Sequence, residues 1–218
     1  MADYSIGFSA SDKSTSNNLP ACIVTPRQTE GPFFIDERLN RSDIRVDAAD
    51  GSVTPGVPLT LSLRVSSVGR AGCAPMAGAI VDLWHCDAAG VYSAVTERAA
   101  PSAGKKFLRG YQVTDKDGGA LFTTIYPGWY PGRAVHIHFK VRSAAGSARS
   151  REFTSQLYFD DALTDRVHAR QPYAARGQRA LRNRQDGLFR NGGELLTLNA
   201  GESGKGYAAS YEIGLQTS

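Results

Sequence analysis

Hydrophobic and polar residues alternate with a period of two along most of the chain from residue 57 onward. Such alternation places successive side chains on opposite faces of an extended chain, so each segment predicts a half-buried β-strand. One short segment, residues 162–170, instead has a helical pattern. The predicted strands are residues 59–66, 79–84, 107–114, 120–125, 135–142 and 153–159, with late strands over 194–198 and 207–215.

Short strands separated by turns predict an all-β protein. Asp117-Gly118 is a hairpin turn signal between two of them. Parallel strands need crossover connections that usually contain long helices, and the sequence pattern shows none. We therefore expect an antiparallel β-sandwich with long loops and little helix. Residues 1–20 are polar and predict a flexible N-terminal arm, and residues 21–218 predict a single domain.

Composition is that of a globular protein. The 218 residues are 41% hydrophobic and 21% charged, so a core forms without help from a metal or a disulfide. The formal net charge of +4 is mild and is interpreted as a solvated surface, because no nucleic-acid-binding motif accompanies it. Apolar runs are only a few residues long, and the polar N-terminus lacks the apolar stretch of a signal peptide. We expect neither nucleic acid nor membrane as a partner.

The three cysteines leave two interpretations open. Cys22, Cys73 and Cys86 contain no CxxC pair, which argues against a zinc knuckle. They are either three buried thiols of a cytosolic protein, or a Cys22–Cys73 disulfide of a secreted protein with Cys86 left over.

His136 and His138 give the strongest chemical signal. Their spacing on a strand puts both imidazoles on one face, opposite the apolar Val135, Ile137 and Phe139. A single strand histidine is most often structural. Two on one face, in a chain with four histidines, favour a metal site.

Tyrosines in nearby loops change which metal is expected. Tyr130 lies in the turn-rich stretch IYPGWYPGRAVHIHF, and Tyr92 follows the strand VDLWHC and a DAAG turn. The alternative is that such tyrosines cap an apolar core, which fits Tyr126 better than Tyr130. A phenol with an ordinary pKa of about 10 is a poor zinc ligand, whereas the harder ferric ion stabilises phenolate. The signatures GxSxG and HExxH and a Gly-rich phosphate loop do not occur in the sequence.

Four segments together resemble the intradiol ring-cleavage dioxygenases. They are TPRQTEGPFF (25–34), VDLWHCDAAGVYS (81–93), FLRGYQVTDKDGGALFTTIYPGWYPGRAVHIHF (107–139) and SQLYF (155–159), and they occur in the family's order over roughly residues 21–160. The resemblance implies a β-sandwich holding one non-haem Fe(III) per chain. It also implies that catechol-type rings are cleaved with O2 between the two hydroxyl-bearing carbons, giving cis,cis-muconate-type dicarboxylic acids.

The resemblance also implies roles for individual residues. Tyr130 would be both a ligand and, once released from the metal, a base for the catechol. Arg133 would lie beside the reacting ring, and Gln156 would line the same pocket. Tyr126 and His85 are not at ligand positions, and His85 is interpreted as structural. The implied iron ligands are Tyr92, Tyr130, His136 and His138.

The sequence departs from the better-known members of the family. The residues before Val57 do not form the helical dimerisation segment of catechol dioxygenases, and the cysteine pattern resembles a stand-alone, secreted-type group. This resemblance implies secretion or a periplasmic location, whereas a complete native chain as given would be cytoplasmic. The ring substituents and the choice between monomer and homo-oligomer stay open.

Two other functions remain alternatives. One is a β-sandwich binding module that holds aromatics or sugars on Trp129 and Tyr130 without turnover. The other is a zinc hydrolase built on His136 and His138, which the neighbouring tyrosines disfavour.

Overall fold

The computed structural model describes residues 23–70, 72–94, 102–143 and 152–216. Within these ranges the chain forms ten strands, one α-helix (α1) and two 3-10 helices. None of the described helices has the length and hydropathy of a membrane span. The strands are β1 Pro58–Gly69, β2 Gly72–Pro75, β3 Ile80–Trp84, β4 Arg109–Val113, β5 Gly119–Ile125, β6 His136–Arg142, β7 Glu152–Phe159, β8 Thr197–Leu198, β9 Gly201–Ser203 and β10 Gly206–Gln216. The helices are α1 Asp161–His168 and the 3-10 helices Tyr173–Arg176 and Asn183–Gln185.

The strands form two sheets, as the all-β sandwich prediction requires. In the first sheet β1 pairs with β10 on one edge, β2 and β5 share its other edge, and β9 pairs with β10. The second sheet has the order β4-β3-β6-β7-β8. Buried residues of both sheets belong to one hydrophobic cluster, which includes Leu61 of β1, Leu83 of β3 and Phe139 of β6. The apolar faces of the sheets therefore meet in a common core.

Two strand pairs run parallel, so the sheets are mixed rather than purely antiparallel. They are β1 with β10 and β7 with β8. The chain between β7 and β8 contains α1 and both 3-10 helices, and this connection brings β8 alongside the last residues of β7. The absence of a long helix led the sequence analysis to expect only antiparallel pairing, but a short helix with irregular turns provides this crossover.

Alternation predicted the long strands well and the short strands poorly. The predicted strand over 194–198 shortens to Thr197–Leu198, because turn hydrogen bonds such as Leu196 N to Gly193 O hold the preceding residues. β2 and β9 were not predicted, since both are short, exposed on both faces and without alternation. The predicted arm over 1–20 lies outside the described residues, so its division from a domain over 21–218 stays a prediction.

The structure excludes one of the two interpretations of the cysteines and leaves part of the other untested. Cys73 on β2 is disulfide-bonded. Cys86 is a free thiol and is buried. The interpretation as three free thiols is therefore wrong. Cys22 lies outside the described residues, and its pairing with Cys73 stays a prediction.

The outer face of the second sheet is buried, although it points away from the core. The covering segment (residues 25–34) crosses it. Gln28 N donates to Thr154 O over 3.1 Å, and Phe34 packs against Trp84 of β3 with ring centroids 4.9 Å apart. Covered by this segment, His136 and His138 on the outer face of β6 are almost inaccessible to solvent. The fold thereby creates a buried polar layer between the second sheet and the covering segment.

Two loops meet beside this layer. Asp87 closes the first loop by accepting hydrogen bonds at Oδ1 from Ala89 N and Val91 N, over 2.9 and 2.8 Å. The second loop contains Gly128 and Trp129. Gly90, with φ +80°, lies so close to it that an added Cβ would be 2.1 Å from Trp129 O. Gly128 N in turn donates to Asp87 O over 3.0 Å. Backbone contact between the loops fixes the distance between the two residues that follow them, Tyr92 and Tyr130.

We predict that Gly90→Ala destabilises the protein more than Gly132→Ala. Both glycines have positive φ, so alanine costs about 1–3 kcal/mol of backbone strain at either position. At Gly132 an added Cβ has no neighbour within 4 Å, whereas at Gly90 it collides with backbone that must move. Denaturant unfolding of both variants measures the difference, expected to be about 1–3 kcal/mol more at Gly90. Equal losses would contradict the close loop contact.

Candidate metal centre

The structure brings together the four side chains that the sequence analysis assigns to a metal. His136 and His138 project from β6, Tyr130 reaches them from the second loop and Tyr92 from the first. Tyr130 Oη lies 3.2 Å from His136 Nε2, and the Nε2 atoms of the two histidines are 3.0 Å apart. The rings of Tyr92 and Tyr130 meet edge to face, with centroids 5.7 Å apart. Two oxygens and two nitrogens thus converge on one point.

The backbone fixes the tautomer of His136. Its Nδ1 lies 2.6 Å from Ala134 O, and a carbonyl oxygen only accepts, so Nδ1 carries the proton and donates it. Nε2 therefore presents its lone pair to the convergence point, as in metal-binding histidines. His138 is oriented differently, by stacking on Trp84 at a centroid distance of 5.0 Å and an angle of 7°.

Burial keeps both imidazoles neutral. It lowers the pKa of His136 to about 3, with a further contribution from the nearby Arg133 charge. Burial also lowers the pKa of His138 well below its ordinary value, and His136 adds to the effect. Neutral imidazole is the form that binds a metal. The two Nε2 atoms, 3.0 Å apart, would both be available to hold one ion.

Tyr92 makes the strongest case for a cation. Its hydroxyl oxygen is buried and has no hydrogen-bond partner within the described part of the chain. Burial raises the pKa of Tyr92 well above 10, with smaller contributions from Cys86 and Tyr130, so the isolated phenol stays protonated. Burial likewise raises the pKa of Tyr130, although Arg133 opposes this. A hard cation at the convergence point would satisfy the Tyr92 oxygen and stabilise both phenolates.

The donor set fits ferric iron better than zinc. Among the described residues there is no cluster of three or more His, Cys, Asp or Glu side chains that would hold a metal. A metal in this part of the protein therefore needs other donors, and the two phenols supply them. Two phenolates and two neutral imidazoles suit a hard trivalent ion and leave a net charge near +1.

Arg133 and Gln156, the other two predicted site residues, also lie here. Arg133 Nη1 is 3.4 Å from His136 Nε2, and its Nη2 donates to Gln156 Oε1 over 2.5 Å. Gln156 is fully buried on β7, directly opposite His138 in the strand register. Its Nε2 donates to Thr29 O of the covering segment over 2.9 Å.

The two residues that the sequence analysis kept out of the ligand set have partners elsewhere. His85 Nδ1 lies 2.8 Å from Cys86 O, and its Nε2 lies 2.7 Å from Thr124 Oγ1. Both ring nitrogens are thus used inside the protein. Tyr126 Oη lies 2.7 Å from Thr164 Oγ1 of α1, and its ring belongs to the main hydrophobic cluster.

Sequence reasoning missed several residues that surround the site. Phe33 stacks on Tyr92 with centroids 4.3 Å apart, and Phe33 O accepts from Arg109 Nη1 over 2.5 Å. Asp186 accepts from Arg133 Nε over 2.9 Å. These residues lie in loops or at a strand end, where alternation gives no signal. Tyr158 could have been predicted from the sequence, since it shares a face of β7 with Gln156. Its hydroxyl lies 3.2 Å from Gln156 Oε1.

Comparisons with known proteins identify relatives of this chain. The family model described as Dioxygenase matches residues 29–186. The chain is 29% identical over 163 residues to catechol 1,2-dioxygenase 1 of Acinetobacter lwoffii, covering 63% of this chain and 49% of that protein. It is 33% identical over 124 residues to the protocatechuate 3,4-dioxygenase beta chain of Burkholderia cepacia, covering 52% of this chain and 51% of that one. The chain thus spans about half the length of these curated relatives.

Structural similarity extends over more of the chain. The structure superimposes on an intradiol ring-cleavage dioxygenase from Tetranychus urticae with a TM-score of 0.75 and 29% identity, covering 89% of this chain and 95% of that one. The matched region of the family model contains all four converging donors, Arg133, Gln156 and Asp186. On the combined evidence of sequence and fold, the chain belongs to the intradiol ring-cleavage dioxygenase family.

Proposed function

We propose that this protein is a non-haem Fe(III)-dependent intradiol dioxygenase with one iron per chain. It cleaves catechol-type rings with O2 and releases cis,cis-muconate-type dicarboxylic acids. The observation that carries the proposal is the convergence of Tyr92, Tyr130, His136 and His138, with the Tyr92 hydroxyl buried and unpartnered within the described residues. A catechol and O2 are its proposed small-molecule partners.

The four converging side chains would hold the ion. When bound, ferric iron supplies a Lewis acid and a template on which the catechol is activated toward O2. The burial of both histidines and of Gln156 excludes water from this region and strengthens every charge interaction inside it.

Tyr130 is the residue suited to accept a substrate proton. It is only partly buried and lies on a loop with Pro and Gly on both sides, whereas Tyr92 is held under the ring of Phe33. A phenolate cannot be a ligand and a free base at once, so Tyr130 would serve as a base only when it is not holding the ion. Its oxygen is the group that would accept a catechol proton.

Arg133 and Gln156 act together on the reacting ring. Arg133 Nη1 faces the convergence point, where it donates to negative charge that develops on the substrate. Both ends of the Gln156 amide are already used, with Oε1 accepting from Arg133 and Nε2 donating to Thr29 O. Gln156 therefore holds Arg133, and Arg133 contacts the substrate.

The binding-module alternative finds less support. It needs an open aromatic platform at Trp129 and Tyr130. The Arg176 guanidinium lies over the Trp129 ring, 4.8 Å from the centroid, and Arg176 Nε donates to Trp129 O over 2.8 Å. This face of Trp129 is therefore already covered.

The direct test is reconstitution with iron followed by a substrate panel. The iron-loaded protein should be red-brown from phenolate-to-metal charge transfer and contain about one iron per chain. Catechol, protocatechuate, hydroxyquinol and chlorocatechols should be compared by O2 uptake and by identification of the ring-opened product. A colourless, zinc-loaded protein with full activity would contradict the proposal. The absence of ring-opened product from every catechol would contradict it as well.

Substitution of the two tyrosines should give different results. Tyr130→Phe should retain iron, because three protein ligands remain, but with a weaker and shifted visible band and slower turnover. Tyr92→Phe should lose iron affinity, because the Tyr92 oxygen is buried beneath the stacked ring of Phe33, where a water molecule cannot take its place as a ligand. Metal analysis and visible spectra of both variants provide the measurement.

Tyr126→Phe is the matched control. Its hydroxyl bonds Thr164 in the core, so iron content and the visible band should stay at wild-type values. If the Tyr92 and Tyr130 variants lose iron equally, the assignment of Tyr130 as the displaced ligand is wrong.

A further inference from the structure

The guanidinium group of Arg133 is held at two of its three nitrogens. Nε donates to Asp186 Oδ2 over 2.9 Å, and Nη2 donates to Gln156 Oε1 over 2.5 Å. The third nitrogen, Nη1, lies 3.4 Å from His136 Nε2 at the convergence point. Because a guanidinium is planar and rigid, fixing two nitrogens fixes the direction of the third.

Asp186 is buried, and both of its carboxylate oxygens are hydrogen-bonded. Only 2% of the residue is exposed. Besides Arg133, it accepts from Ala134 N at Oδ2 over 2.9 Å and from Leu188 N at Oδ1 over 2.8 Å. Each carboxylate oxygen is thus hydrogen-bonded within the protein, and Asp186 is buried beside the partly buried charge of Arg133.

The surrounding loop ties Asp186 to the strand that carries the other anchor. Asp186 follows the 3-10 helix Asn183–Gln185, and Asn183 Nδ2 donates to Phe159 O at the end of β7 over 2.7 Å. Gln156 lies on the same strand. The two groups that hold Arg133 therefore belong to one framework.

We propose that Asp186 is the positioning residue for Arg133, directing Nη1 toward the substrate and balancing the guanidinium charge. This inference rests on the proposed function. It assigns to a loop residue the task of holding the group that donates to the reacting ring.

Besides holding Arg133, Asp186 is linked to His136 through Ala134. The experiment must separate the effects of these two links. It accepts from Ala134 N, and Ala134 O accepts from His136 Nδ1 over 2.6 Å. Asp186→Asn keeps one oxygen that can accept from Ala134 N and Arg133 Nε, but it removes the negative charge that balances Arg133. Asp186→Ala removes both, so only this variant should also lower iron content.

The test is a double-mutant cycle on the full chain loaded with iron, using Arg133→Met, Asp186→Asn and the double variant. We expect Asp186→Asn to lower kcat by tenfold or more, with KM for catechol within about threefold and iron content unchanged. In the Arg133→Met background the same substitution should lower kcat no further, because its effect passes through Arg133.

Asp82→Asn is the matched control. Asp82 is buried on β3 and accepts from Arg142 Nε and Nη2 over 2.7 and 2.8 Å, so it is a second buried carboxylate in an arginine pair. Its kcat should stay within twofold of wild type. If removing a buried carboxylate acted only through the structure, kcat would fall equally in Asp186→Asn and Asp82→Asn. That result would overturn the proposal.

Thermal unfolding of the iron-free proteins gives a readout independent of turnover. Arg133→Met leaves a buried carboxylate unpaired and should lower the midpoint, and adding Asp186→Asn should restore part of the loss. The proposal is overturned if these thermal effects are additive, or if Asp186→Asn has the wild-type kcat. A wild-type protein that opens no catechol ring overturns the proposed function instead, while the thermal cycle still tests the coupling.

Discussion

The anchoring of β6 in the core determines where the two histidine donors of the candidate metal centre lie. Ile137, Phe139 and Val141 are buried between the sheets, and the pleat of the strand then forces His136 and His138 onto the outer face. A shift of one residue in the pairing of β6 would exchange the two sets. The same apolar packing that stabilises the sandwich therefore holds the imidazoles at a fixed separation.

The outer face would be an unfavourable place for polar side chains if they lacked partners. Burial there removes water from Gln156, Asp186 and Arg133, and each finds its partners within the site. In the described chain, the Tyr92 hydroxyl oxygen is a buried polar atom without a partner, and its ring lies beside that of His138. Unsatisfied groups in an otherwise well-paired region are typical of a functional site, where a ligand provides the missing interaction.

Sequence reasoning reached those parts of the molecule that a local pattern controls. Alternation along β6 correctly placed both histidines on one face, because the period of two is a property of the strand alone. The position of Gln156 beside them was implied by the resemblance. The direction of β10 relative to β1 depends on contacts between distant segments, and no local pattern encodes it. Asp186 and Phe33 were not predicted for a similar reason, because they lie in loops, whose sequences have no periodic pattern. The tyrosines were found through loop chemistry and through resemblance, not through alternation.

The parallel pairing of β1 with β10 has a consequence for how the chain folds. These strands share a ten-residue register, yet most of the sequence separates them. The first sheet therefore has a high contact order, and its completion requires closure of a very long loop, which slows folding. Until β10 docks, the backbone groups along one edge of β1 stay unpaired and open to other strands. The interval before this docking is when aggregation competes most directly with folding.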